Sequence, residues 1–93
     1  MEENAIQKYR YLLSDDYKVR RWPKKSYEKQ FVLEYLQSKF TRETRIPEKE
    51  VNAILQQWHL FNDYALLRRE MFERGLMSRT RDGREYWIAS SGN

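Results

Sequence analysis

The spacing of apolar residues along the chain predicts several helices followed by a hairpin. Over residues 26–40 (SYEKQFVLEYLQSKF), aromatic and aliphatic positions recur at intervals of three and four. This period is typical of a helix with a wide buried face. Ser26 is predicted to cap the helix, and Glu28 suits its positively polarised first turn. We therefore expect a central helix that is contacted from several sides.

The same period returns in two later segments that are separated by a tight turn. Pro47 is predicted as the first residue of a second helix, which ends near His59. The sequence LFND then forms the turn, and Asn62 or Asp63 caps a third helix over residues 63–74. The two helices and their turn indicate a helix-turn-helix unit.

Beyond the third helix the period of apolar residues changes from about 3.6 to two. Gly75 is expected to end that helix in the left-handed conformation. The strand-like runs LMSRT and REYWI then flank Asp82-Gly83, which is a strong signal for a β-hairpin. A two-residue turn would place Arg81 opposite Arg84.

The N-terminal part of the chain predicts shorter elements. A short helix is expected over residues 3–13, with an apolar stripe made of Ile6, Tyr9 and Leu13. The sequence SDDY is typical of a turn, and KVRRWP predicts a short strand that ends at Pro23. The stripe is a candidate dimer surface, and the alternative is that it docks on its own domain.

Together these elements predict an α+β fold that is mainly helical, of the winged helix-turn-helix type. It has three core helices, a short strand before the first, a C-terminal β-hairpin wing and an extra N-terminal helix. We expect an N-terminal helical extension over residues 1–14, a winged-helix domain over 15–90 and a tail over 91–93.

Composition narrows the function. The chain has 93 residues, which is enough for one domain. Of these residues, 34% are charged and 40% are hydrophobic. The absence of cysteine excludes disulfides and thiolate metal sites. His59 has no spaced partner and is expected to cap backbone carbonyls or pack near Trp58. No phosphate loop or nucleophile motif is present. We therefore expect a cytoplasmic protein without enzymatic activity, cofactor, metal or membrane contact.

The formal net charge of +4 is unevenly distributed. Residues 18–29 carry six basic side chains against Glu28 alone, the strongest local charge in the sequence. Candidate phosphate contacts in this segment are Lys24, Lys25 and Lys29. The alternative is an ordinary solvated face.

The third helix could read base edges in the major groove of DNA. Its candidate contacts are Asn62, Tyr64, Arg68 and Arg69. Its three arginines are balanced by three acids, however, so it attracts phosphate poorly. The alternative is that Arg68 or Arg69 pairs with carboxylates of the domain itself.

The hairpin is the more basic surface. Like charges at Arg81 and Arg84 would repel one another across the strand pair, and a phosphate would relieve that repulsion. Arg79 can instead form a structural pair with Tyr86. The three wing arginines are therefore candidate DNA contacts, and the alternative is that Arg81 and Arg84 extend into water.

Several motifs in this order resemble the domain-of-unknown-function 2087 family, a bacterial module found alone or attached to helix-turn-helix regulators. They are RRWPKK, PEKEVNAIL, HLFNDYALLRREMFERGLMSR and DGREYW, within residues 15–88. The resemblance implies a winged-helix-like fold and a role in transcriptional regulation, without an established activity. Asp16 and Pro47 depart from the family pattern, which often has Gly and a Ser or Thr cap there, and both are compatible with the fold.

The sequence therefore favours a DNA-binding regulatory module, which would bind as a dimer if the stripe in residues 3–13 is an interface. The alternative is a protein-interaction module whose partner is a regulator. Binding of single-stranded nucleic acid through aromatic and basic side chains is a third hypothesis, which the burial of most aromatic residues in core faces disfavours.

Overall fold

The computed structural model describes residues 3–89, within which four α-helices pack around one core beside a small antiparallel sheet. In chain order the elements are α1 Glu3–Lys8, α2 Ser26–Gln37, β1 Ile46–Pro47, α3 Glu48–Gln57, α4 Tyr64–Glu73, β2 Ser78–Arg79 and β3 Glu85–Trp87. The prediction of a mainly helical α+β chain is confirmed. The predicted tail over residues 91–93 lies outside the described residues.

Helix α2 is the central helix that its wide apolar face predicts. Five of its hydrophobic side chains are almost completely buried: Phe31, Val32, Leu33, Tyr35 and Leu36. The Phe31 and Tyr35 rings stack with centroids 5.8 Å apart. The Tyr35 hydroxyl donates a hydrogen bond to the Tyr17 carbonyl at 2.6 Å, so this buried phenol also fixes the early turn.

Two predicted helix starts are wrong by one residue. Lys25, in extended conformation, precedes α2 as its N-cap, so Ser26 is the first helical residue and caps nothing with its side chain. Pro47 is likewise the N-cap of α3 rather than its first residue. Its ψ of 158° is extended because Pro47 also pairs with Glu85 in the sheet.

Both predicted ends of α4 are confirmed. A carboxylate oxygen of Asp63 accepts a hydrogen bond from the Leu66 amide at 3.2 Å, which satisfies a donor of the first turn. Gly75 has a φ of 75° and ends the helix in the left-handed region.

Replacing Gly75 with alanine is expected to destabilise the domain by about 1–2 kcal/mol. The reason is backbone strain alone, because no neighbouring atom lies within 4 Å of the position that a Cβ would take. Urea unfolding followed by tryptophan fluorescence measures the change. Gly75→Asn should lose less stability than Gly75→Ala, since asparagine tolerates the left-handed conformation better than alanine does. Equal stability of wild type and Gly75→Ala would contradict the left-handed end.

The three strands form an antiparallel sheet in the order β1-β3-β2. Ser78 pairs with Trp87 and Arg79 with Tyr86, which is the predicted hairpin register. The predicted strand at residues 18–23 is wrong, since the segment forms no strand of this sheet. Instead, Val19 makes single bridges to Leu13 and His59.

The N-terminal segment is more irregular than the predicted helix over residues 3–13. Helix α1 ends at Lys8, and a 3-10 turn follows at Arg10–Leu12. Arg10 donates hydrogen bonds to the carbonyls of Leu13 and Ser14, at 3.0 and 2.8 Å, which favours this bend.

The apolar stripe of the N-terminal segment is covered by its own domain. Ile6 and Tyr9 are half-buried against the core, and Leu13 is fully part of it. The Tyr9 ring stacks on Phe31 of α2 with centroids 4.5 Å apart. Docking on its own domain therefore uses most of this stripe, and the dimer surface stays a prediction.

His59 connects the end of α3 to the start of α4. Its Nδ1 bonds the Leu55 carbonyl at 2.6 Å, and its Nε2 accepts the Asp63 amide proton at 2.8 Å. The ring is 5% exposed and lies edge-on to Phe61. The predicted capping role is confirmed. The two bonds require a neutral ring that carries its proton on Nδ1.

Candidate nucleic-acid interface

The outer face of α4 carries few free charges. Its exposed residues are Ala65, Arg69, Phe72 and Glu73. Arg69 forms no ion pair with any residue of the described segment 3–89. Arg74, just beyond the helix, pairs with Glu70 at 3.0 Å. Arg69 is therefore the arginine of this helix that remains available to a ligand.

The two residues predicted at the beginning of α4 differ in accessibility. Asn62 is exposed, with a φ of 53°, at the end of the turn between the helices. Tyr64 is half-buried and packs against the core. Asn62 is therefore the more accessible of the two residues.

Arg68 is held within the fold. Its guanidinium donates a hydrogen bond to the side-chain amide oxygen (Oδ1) of Asn52 and lies 3.9 Å from a Glu48 carboxylate oxygen. These contacts join α4 to α3, and the arginine side chain is only 20% exposed. The alternative in which Arg68 pairs inside the domain is therefore confirmed for this residue.

The hairpin turn is longer than the predicted two-residue turn. Thr80 and Glu85 still pair through the Thr80 amide at 2.9 Å, but the Gly83 amide bonds the Thr80 carbonyl at 3.0 Å. Arg81 and Asp82 therefore occupy the middle of a β-turn. Arg81 does not face Arg84 across a strand pair, so the predicted like-charge repulsion is absent.

Asp82 organises this turn from within. One carboxylate oxygen accepts from the Thr80 hydroxyl at 2.7 Å and from the Arg84 amide at 3.1 Å. These bonds lower the pKa of Asp82 below its usual range, with the Thr80 bond as the largest cause. Its second oxygen lies 3.5 Å from the exposed Arg84 guanidinium. Arg81 forms no ion pair within residues 3–89.

Arg79 joins the hairpin to α4. Its guanidinium carbon lies 4.3 Å from the centroid of the Phe72 ring on the outer face of α4, so Phe72 rather than Tyr86 is its aromatic partner. A Cβ atom at Gly83 would lie 3.4 Å from Arg79 Nη1. The guanidinium therefore contacts the outer face of α4 and lies near the hairpin turn.

The early basic cluster lies elsewhere, at the N-terminal end of α2. Lys24 and Lys25 are exposed, and Lys29 is half-buried with its Nζ 5.6 Å from the Trp22 ring centroid. Lys25 Nζ lies 5.9 Å from the centroid of Tyr27. One shallow groove is lined by Tyr11, Arg21, Trp22, Lys24, Lys25, Tyr27 and Glu28.

Charge clustering alone did not predict the role of Glu28, which is buried beside these cations. Only 6% of this residue is exposed, and its carboxylate accepts a hydrogen bond from the Tyr11 hydroxyl at 2.5 Å. The bond and the partial burial raise the pKa of Tyr11 to about 12. A buried carboxylate makes the floor of the groove negative under its basic rim.

Alkaline titration is expected to reveal Tyr11. Its raised pKa means that the neutral phenol is favoured in the folded protein, so this contact contributes stability fully below pH 10.0 and loses it by about pH 12. The tyrosinate absorbance of Tyr11→Phe should lack a component that ionises near pH 12. Tyr17→Phe, which removes a similarly exposed phenol, is the control. Superimposable curves for wild type and Tyr11→Phe at the high-pH end would contradict the prediction.

The two basic surfaces are distinct. The C-terminal end of α2 meets the base of the hairpin, where Gln37 donates a hydrogen bond to the Leu76 carbonyl at 2.8 Å. The early cluster sits at the other end of α2, about 16 Å away at the helical rise per residue. The structure brings Arg79 against α4 beside the hairpin turn, but Lys24, Lys25 and Lys29 form a separate group.

Sequence reasoning missed a further cation beside the sheet. The Arg45 guanidinium carbon lies 4.3 Å from the Trp87 ring centroid, and Nη1 lies 3.6 Å from a Glu85 carboxylate oxygen. The polar segment TRETR indicated only a connection, because nothing local signals that Arg45 precedes a strand. The contacts of Arg45 form only when β1 pairs with β3, so no local pattern in the sequence could have identified them.

Two further features are absent from the described residues. Within residues 3–89, no three His, Asp or Glu side chains come together in a way that could hold a metal ion. None of the helices described is both long and apolar enough to cross a bilayer.

Comparison with known proteins gives one match. A family model described as "Uncharacterized protein conserved in bacteria (DUF2087)" matches residues 18–88, from the bridge at Val19 to the end of the hairpin. No curated protein and no solved structure matches the chain significantly.

Proposed function

This chain belongs to the DUF2087 family of uncharacterized bacterial proteins, and we propose that it is a winged-helix DNA-binding module that serves in transcriptional regulation. The order of its elements supports the winged-helix assignment. Helix α2 leads through β1 to the helix pair α3 and α4, and the β2–β3 hairpin then closes a sheet with β1. In such folds the second helix of the pair enters the major groove and the hairpin contacts the sugar–phosphate backbone.

The observation that carries the proposal is the contact between the hairpin and the outer face of α4, where the Arg79 guanidinium lies 4.3 Å from the Phe72 ring centroid. Arg69 on α4 is exposed and free of ion pairs within residues 3–89. Arg81 is exposed in the middle of the hairpin turn. A duplex offers base edges between two lines of phosphates, which suit a helix and a basic hairpin that lie side by side.

The base contacts in this proposal are fewer than the sequence alone indicated. Arg68 is held by Asn52 and Glu48, and the Tyr64 side chain is half-buried against the core, so both are less accessible to a base than Asn62 and Arg69. Asn62 and Arg69 remain, and their side chains suit adenine and guanine respectively. The proposal therefore predicts weak sequence preference with most affinity from phosphates.

The lysines at the beginning of α2 extend the proposed contact. The domain is 36 Å long in its largest dimension, which is about one turn of B-form DNA. The proposal adds Lys24, Lys25 and Lys29 as phosphate contacts, because this length lets one duplex turn reach both ends of the domain. With the three hairpin arginines they give six candidate phosphate contacts, for which the logarithm of the binding constant should fall with the logarithm of salt at a slope of about −5.

Fluorescence anisotropy tests the proposal directly. A random duplex and the DNA upstream of the protein's own gene are titrated at two salt concentrations. Salt-sensitive binding, at least about tenfold tighter for the upstream duplex, would support a sequence-specific regulator. Equal affinities would indicate a nonspecific DNA-binding domain. The absence of binding at low salt would refute the proposal.

Charge reversal at the turn provides a sharper prediction. Arg81→Glu is expected to weaken duplex binding about tenfold and to make the salt slope shallower by about one unit. Lys8→Glu, on the exposed face of α1, changes the net charge by the same amount and is the matched control. The same weakening in both variants would show that only net charge matters, against the proposed contact.

One observation favours a second candidate, which is a protein-interaction module. The outer face of α4 exposes 37% of Phe72, and the charges of this helix and its flanks are balanced. A protein partner would bury that ring, and Phe72→Ala would then weaken its capture. Under this alternative Arg81→Glu leaves the protein complex largely intact, whereas Phe72→Ala disrupts it.

A further inference from the structure

A cavity of about 140 Å³ lies between α3, the sheet and the segment that joins α2 to β1. We infer that this cavity is a binding site for a small neutral aromatic molecule of about the size of phenol, independent of any contact with DNA. Its volume is close to that of an engineered apolar cavity of about 150 Å³ that accepts benzene.

The walls of the cavity are mainly hydrophobic and come from three parts of the chain. Lys39 also borders the cavity, but its ammonium lies over the Trp58 ring, 4.0 Å from the centroid. Helix α3 contributes Val51 and Ile54, the sheet side contributes Ile46 and Ile88, and the segment after α2 contributes Phe40. Val51 is fully buried, and Phe40 and Ile88 are nearly so. Such walls bind a planar apolar ring through dispersion contacts that water cannot replace.

The rim of the cavity differs from its walls. Thr41, Thr44 and Glu50 line it and are exposed to solvent. A hydrophobic space with a polar opening has a route for a ligand, unlike a sealed packing defect. Close-packed interiors rarely keep a void of this size, because the lining atoms lose dispersion contacts.

Tyr86 supplies a polar group at the wall. Its side chain borders the cavity and the residue is only 3% exposed. The buried Tyr35 hydroxyl has a protein partner, but the Tyr86 hydroxyl forms no hydrogen bond within residues 3–89. We assign this oxygen to a ligand hydroxyl as its partner, since Tyr86 borders the cavity.

These features define the ligand. It has about seven non-hydrogen atoms, one aromatic ring and one neutral hydrogen-bonding substituent. A charged group would lose its hydration against the apolar walls, so neutral molecules are favoured. For a ligand of this size, the usual limits on binding energy per atom give a Kd between roughly micromolar and millimolar.

The test is an NMR titration of the full-length protein with phenol, toluene and 2-naphthol, with observation of methyl groups. Phenol and toluene are expected to shift the methyls of Val51, Ile54 and Ile88 in a saturable way, with phenol binding at least threefold tighter. The Tyr86→Phe variant should remove that preference and keep toluene binding. The larger 2-naphthol should not bind.

Filling the cavity gives a second readout. Ile54→Phe should weaken phenol binding at least tenfold, whereas Ile6→Phe, the same substitution at a half-buried position of α1, should leave it unchanged. Thermal unfolding without ligand verifies that both variants fold. The inference would be overturned if the shifts scattered over the surface or if the wild-type protein failed to saturate. It would also be overturned if phenol and toluene bound equally tightly, or if 2-naphthol bound.

Discussion

Replacing Leu12 with alanine is expected to lower the free energy of unfolding by about 2–5 kcal/mol. Leu12 is completely buried, and its neighbour Leu13 is 3% exposed. Removal of the Leu12 side chain takes away apolar contact and leaves a cavity that the surrounding α2 residues fill only in part. A chain of this length has a total stability of about 5–14 kcal/mol, so the loss would be a large fraction of it.

The experiment is urea unfolding followed by tryptophan fluorescence. Leu60→Ala is the matched control because Leu60 is 54% exposed, and it should change stability by less than about 0.5 kcal/mol. If Leu12→Ala were as stable as Leu60→Ala, the segment before residue 18 would be an appendage. The family match begins at residue 18, so the result also determines whether the folded unit of this chain begins before the shared segment.

His59→Phe is expected to destabilise the protein by about 1–3 kcal/mol, with α4 affected first. Phenylalanine keeps the edge-on contact with Phe61 but leaves the Asp63 amide without its partner, whereas the Leu55 carbonyl keeps the Trp58 amide as a donor. An unpaired part-buried amide costs about 1–3 kcal/mol. Within the described residues, the His59 side chain makes the only side-chain hydrogen bonds that join α3 to the turn of Asn62 and Asp63, and the substitution would remove them.

Two measurements separate this effect from general loss of packing. Urea unfolding gives the change in stability, and amide hydrogen exchange should show faster exchange at Asp63 and the first turn of α4 than in α2. Gln57→Ala, an exposed substitution two residues before His59, is the control. Uniform acceleration throughout the domain would contradict a local role for the imidazole.

Local signals in the sequence were enough for some elements. Asp63 and Gly75 defined both ends of α4, because a cap and a left-handed residue act within one turn of chain. Asp82-Gly83 fixed the hairpin register even though the turn is longer than expected. Strand β1, in contrast, has two residues and exists only because β3 pairs with it. A periodic pattern of apolar residues therefore could not predict it.

The candidate site was predictable to the same limited extent. Exposure of Arg81 follows from its place in a turn. The partners of Arg68 could not be predicted from the local sequence. Asn52 lies sixteen residues earlier and contacts Arg68 only when α3 packs on α4. Arg79 was assigned to the adjacent Tyr86, whereas the packing of the hairpin against α4 gives it Phe72. Tertiary contacts, rather than charge patterns, decide which cations remain free.

The order of the strands has a consequence for synthesis on the ribosome. The middle strand of the sheet, β3, is the last of the three to be translated, so β1 and β2 have no partner in this sheet until residues 85–87 emerge. Ile88 then also accepts a hydrogen bond from the Glu43 amide at 2.8 Å. A nascent chain that stops short of Glu85 would expose the apolar face of α3 and the unpaired strand edges to chaperones. The domain therefore closes late in translation, when one short strand joins segments made some forty residues apart.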